Sequence, residues 1–220
     1  MKLTSATLLL LKNFSTINPG IVIKPGSIIS TMDPNKTVLA KARVKETFEK
    51  ECAISNLPRF LGVLSFISDP DLEFENEHLV LKTSVESVKF RYGTPSLIAV
   101  PPNKGITVTE DVKFRLLASV FSNIMKAQGA MQLKEVAVTG NEDGVFLSTL
   151  DFKNKTGDSY SVRVADSNDH NFTFLFNPSN LKFISDDYDV VLSSKGLMYL
   201  KNLEGNLEYW VPAEKDSTFT

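Results

Sequence analysis

The clearest apolar pattern in the chain lies between Ser5 and Ile23, where it predicts an amphipathic helix running into a strand. At about 100° per residue, one side of this helix is apolar; the residues on that side are Leu10, Leu11, Phe14 and Ile17. Lys12 falls on the opposite side, and Ser5 can cap the first turn through its hydroxyl. Asn18-Pro19-Gly20 is expected to end the helix. The helix should therefore pack on a sheet and leave Lys12 exposed.

Three further segments combine a helical period with capping residues. They begin after Ser55 or Asn56, near Ser119, and after Asn177-Pro178, an N-cap followed by a proline that suits the first turn. The third helix of the chain is expected to end at Gly129. The fourth is expected to be short, with an apolar part formed by Leu181, Phe183 and Ile184. The four helices present one outward basic residue each, namely Lys12, Arg59, Lys126 and Lys182.

Between the helices, short runs of apolar and β-branched residues alternate with turn residues and predict antiparallel strands. In the first half these strands are Ile21–Ile23, Ser27–Thr31, Val38–Val44, Phe48–Ile54, Leu79–Thr83, Val88–Tyr92 and Ser96–Val100. In the second half they are Val112–Leu116, Glu135–Val138, Val145–Thr149, Tyr160–Ala165, Phe172–Phe176, Tyr188–Leu192, Leu197–Leu200 and Leu207–Val211. The first strands are expected to form a meander, and Asp69–Glu77 to be acidic turn residues.

A linker is predicted at Pro101–Gly105, because two prolines favour an extended backbone and the glycine that follows makes the backbone flexible. It separates an N-terminal domain, residues 1–103, from a C-terminal domain, residues 104–220. The two halves share an order of helix, hairpin, strands, shorter capped helix and strands. The predicted fold class is therefore α+β, with two similar domains, each of two helices packed on antiparallel sheets.

Composition narrows the class of protein. Of the 220 residues, 42% are hydrophobic and 23% charged, and no apolar run approaches the 18 or so residues of a membrane span. No secretory signal is evident either, so we expect the protein to stay in the cytosol. Cys52 is the single cysteine, which excludes an internal disulfide. The net charge of −2 argues against a protein that wraps nucleic acid with its whole surface.

An acidic protein with basic residues on its helices has the charge distribution expected of a protein that binds a polyanion weakly and lets it move. Three alternatives explain part of the same pattern. An enzyme would have to use His78, His170 or the acidic pairs Asp69/Asp71 and Asp186/Asp187, but the sequence has no phosphate loop and no metal-ligand spacing. A β-rich viral structural protein would explain the strands but not the basic helix faces. A single-stranded DNA binder would need aromatic platforms on a basic groove.

The chain resembles a known family, the DNA polymerase sliding clamps of T-even-type bacteriophages. The similar residues are Leu10-Leu11-Lys12-Asn13-Phe14, Thr16-Ile17-Asn18, Gly20-Ile21, Lys24, Gly26, Phe60-Leu61-Gly62, Leu64-Ser65, Pro102-Asn103-Lys104 and Asp216-Ser217-Thr218. Residue-level similarity is concentrated in the first predicted domain, while the order of elements matches over essentially the whole length. The resemblance implies a DNA-clamp fold that closes into a homotrimeric ring of six similar domains, with helices lining a central hole around duplex DNA.

The resemblance also implies partners and sites. Expected partners are double-stranded DNA without sequence specificity, the replicative DNA polymerase, an ATP-dependent clamp loader and late-transcription factors, in the cytoplasm of the infected bacterial host. No cofactor, metal or catalytic residue is expected. An apolar crevice for a polymerase tail is expected to use Val100, Pro101, Pro102, Trp210, Val211 and Pro212. Ser96–Val100 is expected to be an edge strand that pairs with a neighbouring subunit.

Overall fold

The structure is a computed structural model that describes residues 1–154, 156–166 and 169–220. The chain divides into two compact units, Met1–Lys104 and Gly105–Thr220. The described residues form three α-helices, and none of these helices is long and apolar enough to cross a lipid bilayer.

The first unit carries two helices and seven strands. Its elements are α1 (Ser5–Ile17), β1 (Ile21–Ile23), β2 (Gly26–Met32), β3 (Leu39–Phe48), β4 (Cys52–Ile54), α2 (Leu57–Phe66), β5 (Asp71–Phe74), β6 (His78–Lys82) and β7 (Ser87–Arg91). All strand pairs in this unit are antiparallel: β1 with β4, β2 with β3, and β5 with β6 and then β7. Because β1 pairs with β4 and not with β2, the predicted meander is wrong at its first step.

The second unit carries one helix and nine strands. Its elements are β8 (Val112–Leu116), α3 (Ala118–Met131), β9 (Glu135–Asn141), β10 (Gly144–Leu150), β11 (Ser159–Ala165), β12 (Phe172–Phe176), β13 (Tyr188–Ser193), β14 (Leu197–Asn202), β15 (Leu207–Pro212) and β16 (Thr218–Phe219). Antiparallel pairing gives the order β8-β13-β14-β15 in one sheet and β11-β10-β9-β12-β16 in another. α3 lies against β9, β10 and β11.

α1 has the predicted faces but a different cap. Leu11, Phe14 and Ile17 are buried, and Lys12 is exposed. The cap is Thr4, whose Oγ1 accepts a hydrogen bond from the Thr7 amide at 3.3 Å, so the cap predicted at Ser5 is wrong by one residue. Thr4 has extended backbone angles, as an N-cap residue requires, whereas Ser5 already belongs to the helix.

The start of α1 is also held by a carboxylate from β3. Inward positions along β3 alternate with exposed ones, and Glu46 occupies an inward position between Val44 and Phe48, where it is 8% exposed. Its carboxylate accepts hydrogen bonds from the Thr4 amide and, at 2.6 Å, from the Thr7 hydroxyl. Burial alone would raise the pKa of Glu46, but the bonds from Thr7 and Thr4 outweigh burial and lower it.

The predicted fourth helix is wrong. After the Asn177 cap, the chain makes one 3-10 turn, Pro178–Asn180, and then continues without regular structure to β13. Two buried tyrosines bind the backbone of Ile184: its amide donates to the Tyr209 hydroxyl at 3.2 Å, and its carbonyl accepts from the Tyr188 hydroxyl at 2.7 Å. A helix would need those same backbone groups for its own ladder.

Three other expectations differ from the structure. Ser96–Val100 is not a strand, because Pro95–Leu97 forms a 3-10 turn in which Ile98 donates to the Pro95 carbonyl at 3.1 Å. The acidic segment Asp69–Glu77 contains β5, whose inward Leu72 is 4% exposed. α3 passes Gly129 and ends at Gln132, which adopts a left-handed conformation and bonds back to the Gln128 and Gly129 carbonyls.

Replacing Glu46 by Ala should lower the free energy of unfolding by about 1–3 kcal/mol, because the Thr4 amide and Thr7 hydroxyl lose their buried acceptor. Denaturant titration at one fixed protein concentration measures this loss. Lys45→Ala, at an exposed position of the same strand, is the matched control and should change stability little. Equal stability of the two variants would show that Glu46 does not hold α1.

The same carboxylate predicts a pH dependence. Since the pKa of Glu46 in the folded chain lies below its ordinary value of 4.5, its contribution to stability is fully present above that value. The contribution is lost as the pH falls through the folded-state pKa. The stability difference between the wild type and Glu46→Ala should therefore shrink on acidification below pH 4.5.

Candidate nucleic-acid and partner interfaces

In the first unit, the two basic residues predicted to face DNA lie on helices that pack against each other. Lys12 is exposed on α1, opposite the buried Leu11 and Phe14. Arg59 is exposed in the first turn of α2, where its amide donates to the capping Asn56 side chain at 2.9 Å. The Arg59 guanidinium carbon lies 5.8 Å from the ring centre of Phe90 in β7. The helical wheel therefore placed both charges outward, but it gave no signal of the contact with Phe90.

In the second unit, the two predicted residues differ. Lys126 is exposed on α3, whereas Lys182 is half-buried in the irregular segment after Pro178–Asn180 and lies on no helix. That segment reaches α3, since the Phe183 ring lies 5.3 Å from the Phe121 ring. Lys126 borders an open hollow of about 360 Å³, lined by Phe121, Ser122, Met125, Lys126, Phe183 and Ser185. The hollow lies beside α3, where a second helix was expected.

The basic residues on the helices are not neutralised by acidic neighbours. Among the described residues, Lys12, Arg59 and Lys126 form no ion pair with a carboxylate. Several basic residues on strands do have such partners; the pairs are Lys82 with Glu73 at 3.9 Å, Arg91 with Glu77 at 3.6 Å and Arg115 with Asp189 at 3.1 Å. Positive charge on the helices is thus available to a phosphate backbone.

The acidic pairs considered for catalysis serve the fold. Asp187 accepts from the Ala118 amide at 2.8 Å and so binds the start of α3, while Asp186 accepts from the Asn202 side chain at 3.1 Å. Asp69 pairs with Lys2, and Asp71 lies 3.7 Å from the Met1 ammonium group. Within the described part of the chain, no group of three or more His, Cys, Asp or Glu side chains could hold a metal ion.

The residues predicted to bind a partner fall in both units. In the first unit, Val100 and Pro102 are exposed and Pro101 is half-buried. In the second unit, Trp210 is half-buried, and its ring lies 5.1 Å from that of Tyr199 on the neighbouring strand.

The alternation of β15 separates the three residues at its end. Trp210 and Pro212 lie on one face of the strand, whereas Val211 lies on the other face and is fully buried. Val211 therefore packs in the core and is not on the surface that carries Trp210. The sequence could have indicated this, because Leu207, Tyr209 and Val211 form an apolar series of period two.

Several strands lie at the edge of a sheet, and two of them, β7 and β11, are candidates for contact with another protomer. β7 pairs with β6 alone, and β11 pairs with β10 alone. Apolar residues of both strands are buried or half-buried, and Lys89, Arg91 and Arg163 point outward. The edge expected at Ser96–Val100 does not exist, and β7, the strand that precedes this segment in the chain, is the candidate edge of the first unit. Its short length and its outward lysine and arginine are typical of an edge strand and were readable in the sequence.

Comparison with known proteins agrees with this geometry. Residues 2–94 match the family model for the DNA polymerase processivity factor. The sliding clamp of Enterobacteria phage T4 is 32% identical over 235 residues, which covers 99% of each chain.

Solved structures share the fold. A PCNA2–PCNA3 complex from Sulfolobus tokodaii matches with a TM-score of 0.69 at 14% identity, over 97% of this chain and 99% of that one. A. fulgidus PCNA, solved with the C-terminal region of FEN-1 bound, matches with a TM-score of 0.69 at 14% identity, over 95% of each chain. These likenesses confirm the predicted clamp fold, although the described residues of the second unit form one α-helix and not two. The full-length match to the phage T4 protein, on a clamp fold, establishes that this chain belongs to the sliding clamps, the DNA polymerase processivity factors.

Proposed function

We propose that this chain is the protomer of a homotrimeric ring that encircles duplex DNA and tethers the replicative polymerase of a phage. An ATP-dependent loader opens and closes the ring, and late-transcription factors use it as a second class of partner. The ring acts in the cytoplasm of the infected bacterial host and catalyses no reaction itself. The observation that carries the proposal is the set of exposed, unpaired basic side chains on helices of an otherwise acidic chain.

Lys12, Arg59 and Lys126 are suited to a mobile contact with DNA. Side chains of this type attract phosphates at long range and carry no information about base sequence. A few such charges hold DNA weakly, so the protein can slide along it. Lys182 is a weaker member of this set, because it is half-buried and lies on no helix.

Edge strands β7 and β11 are proposed to join neighbouring protomers head to tail. One edge lies in the first unit and the other in the second, so each copy offers one of each and the contact is heterologous. Pairing would satisfy the free backbone groups of both edges. The Sulfolobus tokodaii PCNA chains, which share the fold, form a complex with each other.

A protein tail is proposed to bind the apolar surfaces that the described residues leave accessible. These are Val100, Pro101 and Pro102 in the first unit, and Trp210 with Pro212 in the second. Support comes from A. fulgidus PCNA, which binds the C-terminal region of FEN-1. For this chain the corresponding partner is the C-terminal tail of the polymerase. Val211 is left out because it is buried.

Charge reversal at Lys12 and Lys126 together should reduce loading and processive synthesis severalfold at moderate salt, because two attractive charges become repulsive. Processivity is measured as product length in a primer-extension assay with polymerase and loader. The control reverses Lys45 and Lys215, which are exposed and lie outside the helices. Thermal unfolding should be unchanged in both variants. Equal processivity of the two double variants would remove Lys12 and Lys126 from the DNA surface.

Lys89→Pro should raise the protein concentration required for trimer assembly about tenfold. Proline has no backbone amide hydrogen, so the variant loses a hydrogen-bond donor to the neighbouring subunit. The Tyr92 amide donates to the Glu77 carbonyl at 3.1 Å, and the Thr83 amide donates to the Glu86 carbonyl at 2.9 Å. Because hydrogen-bonded and non-hydrogen-bonded pairs alternate along an antiparallel ladder, the Lys89 amide points away from β6. Analytical ultracentrifugation should find the wild type at three times 24.4 kDa. Lys89→Ala, which removes only the side chain, is the control. A monomeric wild type would refute the ring.

A ring also predicts topological retention on DNA. After treatment with loader and ATP, the protein should remain on nicked circular DNA at a salt concentration that abolishes direct binding. Cutting the circle should release it, because a closed ring leaves a linear duplex by sliding off its end. A protein that grips phosphates would instead leave both forms as salt rises. Retention that is indifferent to linearisation would contradict the proposed function.

A further inference from the structure

Four parts of the first unit meet at Asn18, Pro19 and Gly20, directly after α1. The Asn18 amide donates to the Phe14 carbonyl at 2.9 Å and ends α1, and the Pro19 carbonyl accepts from the Leu57 amide at 2.6 Å, at the start of α2. The Asn18 side chain then reaches the end of β2 and the segment that leads into the linker. This short turn is therefore a junction between both helices, a strand and the linker.

The Asn18 side chain uses its hydrogen-bonding groups on backbone atoms from three separate places. Its Nδ2 donates to the Met32 carbonyl at 2.8 Å and to the Ala99 carbonyl at 3.2 Å, while its Oδ1 accepts from the Gly20 amide at 2.9 Å. Asn18 is 4% exposed. A buried amide with both donor hydrogens in use fixes its partners in one arrangement, because any other arrangement leaves a buried polar group unpaired.

The segment Ile98–Asn103 has further contacts with the same region. A Cβ placed on Gly20 would lie 3.1 Å from Cγ1 of Ile98, so the two residues are packed closely. Lys24 donates to the Asn103 side chain at 3.1 Å on the exposed side. The segment forms no helix or strand. Apart from the local bond of the Ile98 amide to the Pro95 carbonyl, its position therefore depends on side-chain contacts, of which the bond to Ala99 comes from the buried Asn18.

We infer that Asn18 is a positioning residue that holds the segment Ile98–Asn103 in place in the free protein and so raises its affinity for a partner tail. The part that concerns the partner rests on the proposed function. Binding to a segment that is already ordered avoids the loss of backbone entropy on association. Freeing about one residue of the segment should weaken partner binding about tenfold, since ordering one residue costs about 1–2 kcal/mol.

A spin label on the segment measures the anchor without any partner. Pro102→Cys supplies an exposed thiol, and the native Cys52 does not compete for the label, because it is buried and its pKa is raised to about 12. In the trimeric full-length protein, Asn18→Ala should convert an immobilised spectrum into a mobile one. Ile17→Val, a buried change in the same turn that keeps every Asn18 bond, should not. An unchanged spectrum in a folded Asn18→Ala protein overturns the inference.

A second variant keeps the test decisive if Asn18→Ala fails to fold. Gly20→Ala places its methyl group against Ile98 and should displace and mobilise the labelled segment. Gly62→Ala is the matched control, because a Cβ at Gly62 meets no atom within 4 Å. Equal label mobility in these two variants overturns the inference.

The partner arm uses a fluorescent synthetic peptide with the C-terminal sequence of the cognate polymerase, titrated by anisotropy against proteins without the label. About tenfold weaker binding to Asn18→Ala, with binding to Ile17→Val unchanged, supports the inference. A mobile label combined with unchanged peptide affinity overturns it. If the wild type does not bind the peptide, tail docking in the proposed function fails, and the role of Asn18 in affinity fails with it. The label spectra then decide the anchoring of the segment separately.

Discussion

Hydrogen bonds at the ends of the helices determine where the basic side chains lie. Glu46 reaches from β3 to the start of α1, Asp187 reaches from the loop before β13 to the start of α3, and Asn18 closes the other end of α1. Helix ends carry unpaired amides and carbonyls that must find partners when they are buried. Because those partners belong to sheets and loops, each helix is fixed against its sheet in one position, and an outward lysine is fixed with it.

The charge distribution separates two kinds of basic residue. Several lysines and arginines on strands are paired with nearby carboxylates, as Arg115 is with Asp189, and their fields are locally cancelled. Lys12, Arg59 and Lys126 have no carboxylate partner among the described residues, although the chain as a whole carries a net charge of −2. The helices therefore present uncancelled positive charge on a chain that is acidic as a whole.

The local sequence pattern predicted the elements whose structure depends on neighbouring residues. It failed where a contact with a residue distant in sequence determines the structure. The stripe of Leu11, Phe14 and Ile17 and the alternation of Phe172–Phe176 were readable because burial alone sets their period. The segment after Asn177-Pro178 has a good cap and apolar residues, yet hydroxyls from Tyr188 and Tyr209 take the backbone groups of Ile184. Tyr209 lies 25 residues from Ile184, so no local pattern reveals its part in that competition. The buried role of Glu46 was equally invisible, since a single acidic residue in an alternating strand usually marks the solvent face.

A ring that encloses DNA needs only weak contacts with it, which explains why a few basic residues are enough. Each phosphate contact adds affinity but also adds salt dependence and slows movement along DNA, so a protein that must travel with a polymerase gains nothing from many such contacts. Residence on DNA then depends on the lifetime of the contacts between protomers. The two edges proposed to join the protomers, β7 and β11, have 5 and 7 residues, and β7 places Lys89 and Arg91 beside its apolar residues. Backbone pairing over so few residues buries limited area, which favours an interface that can open and close again in the proposed ring.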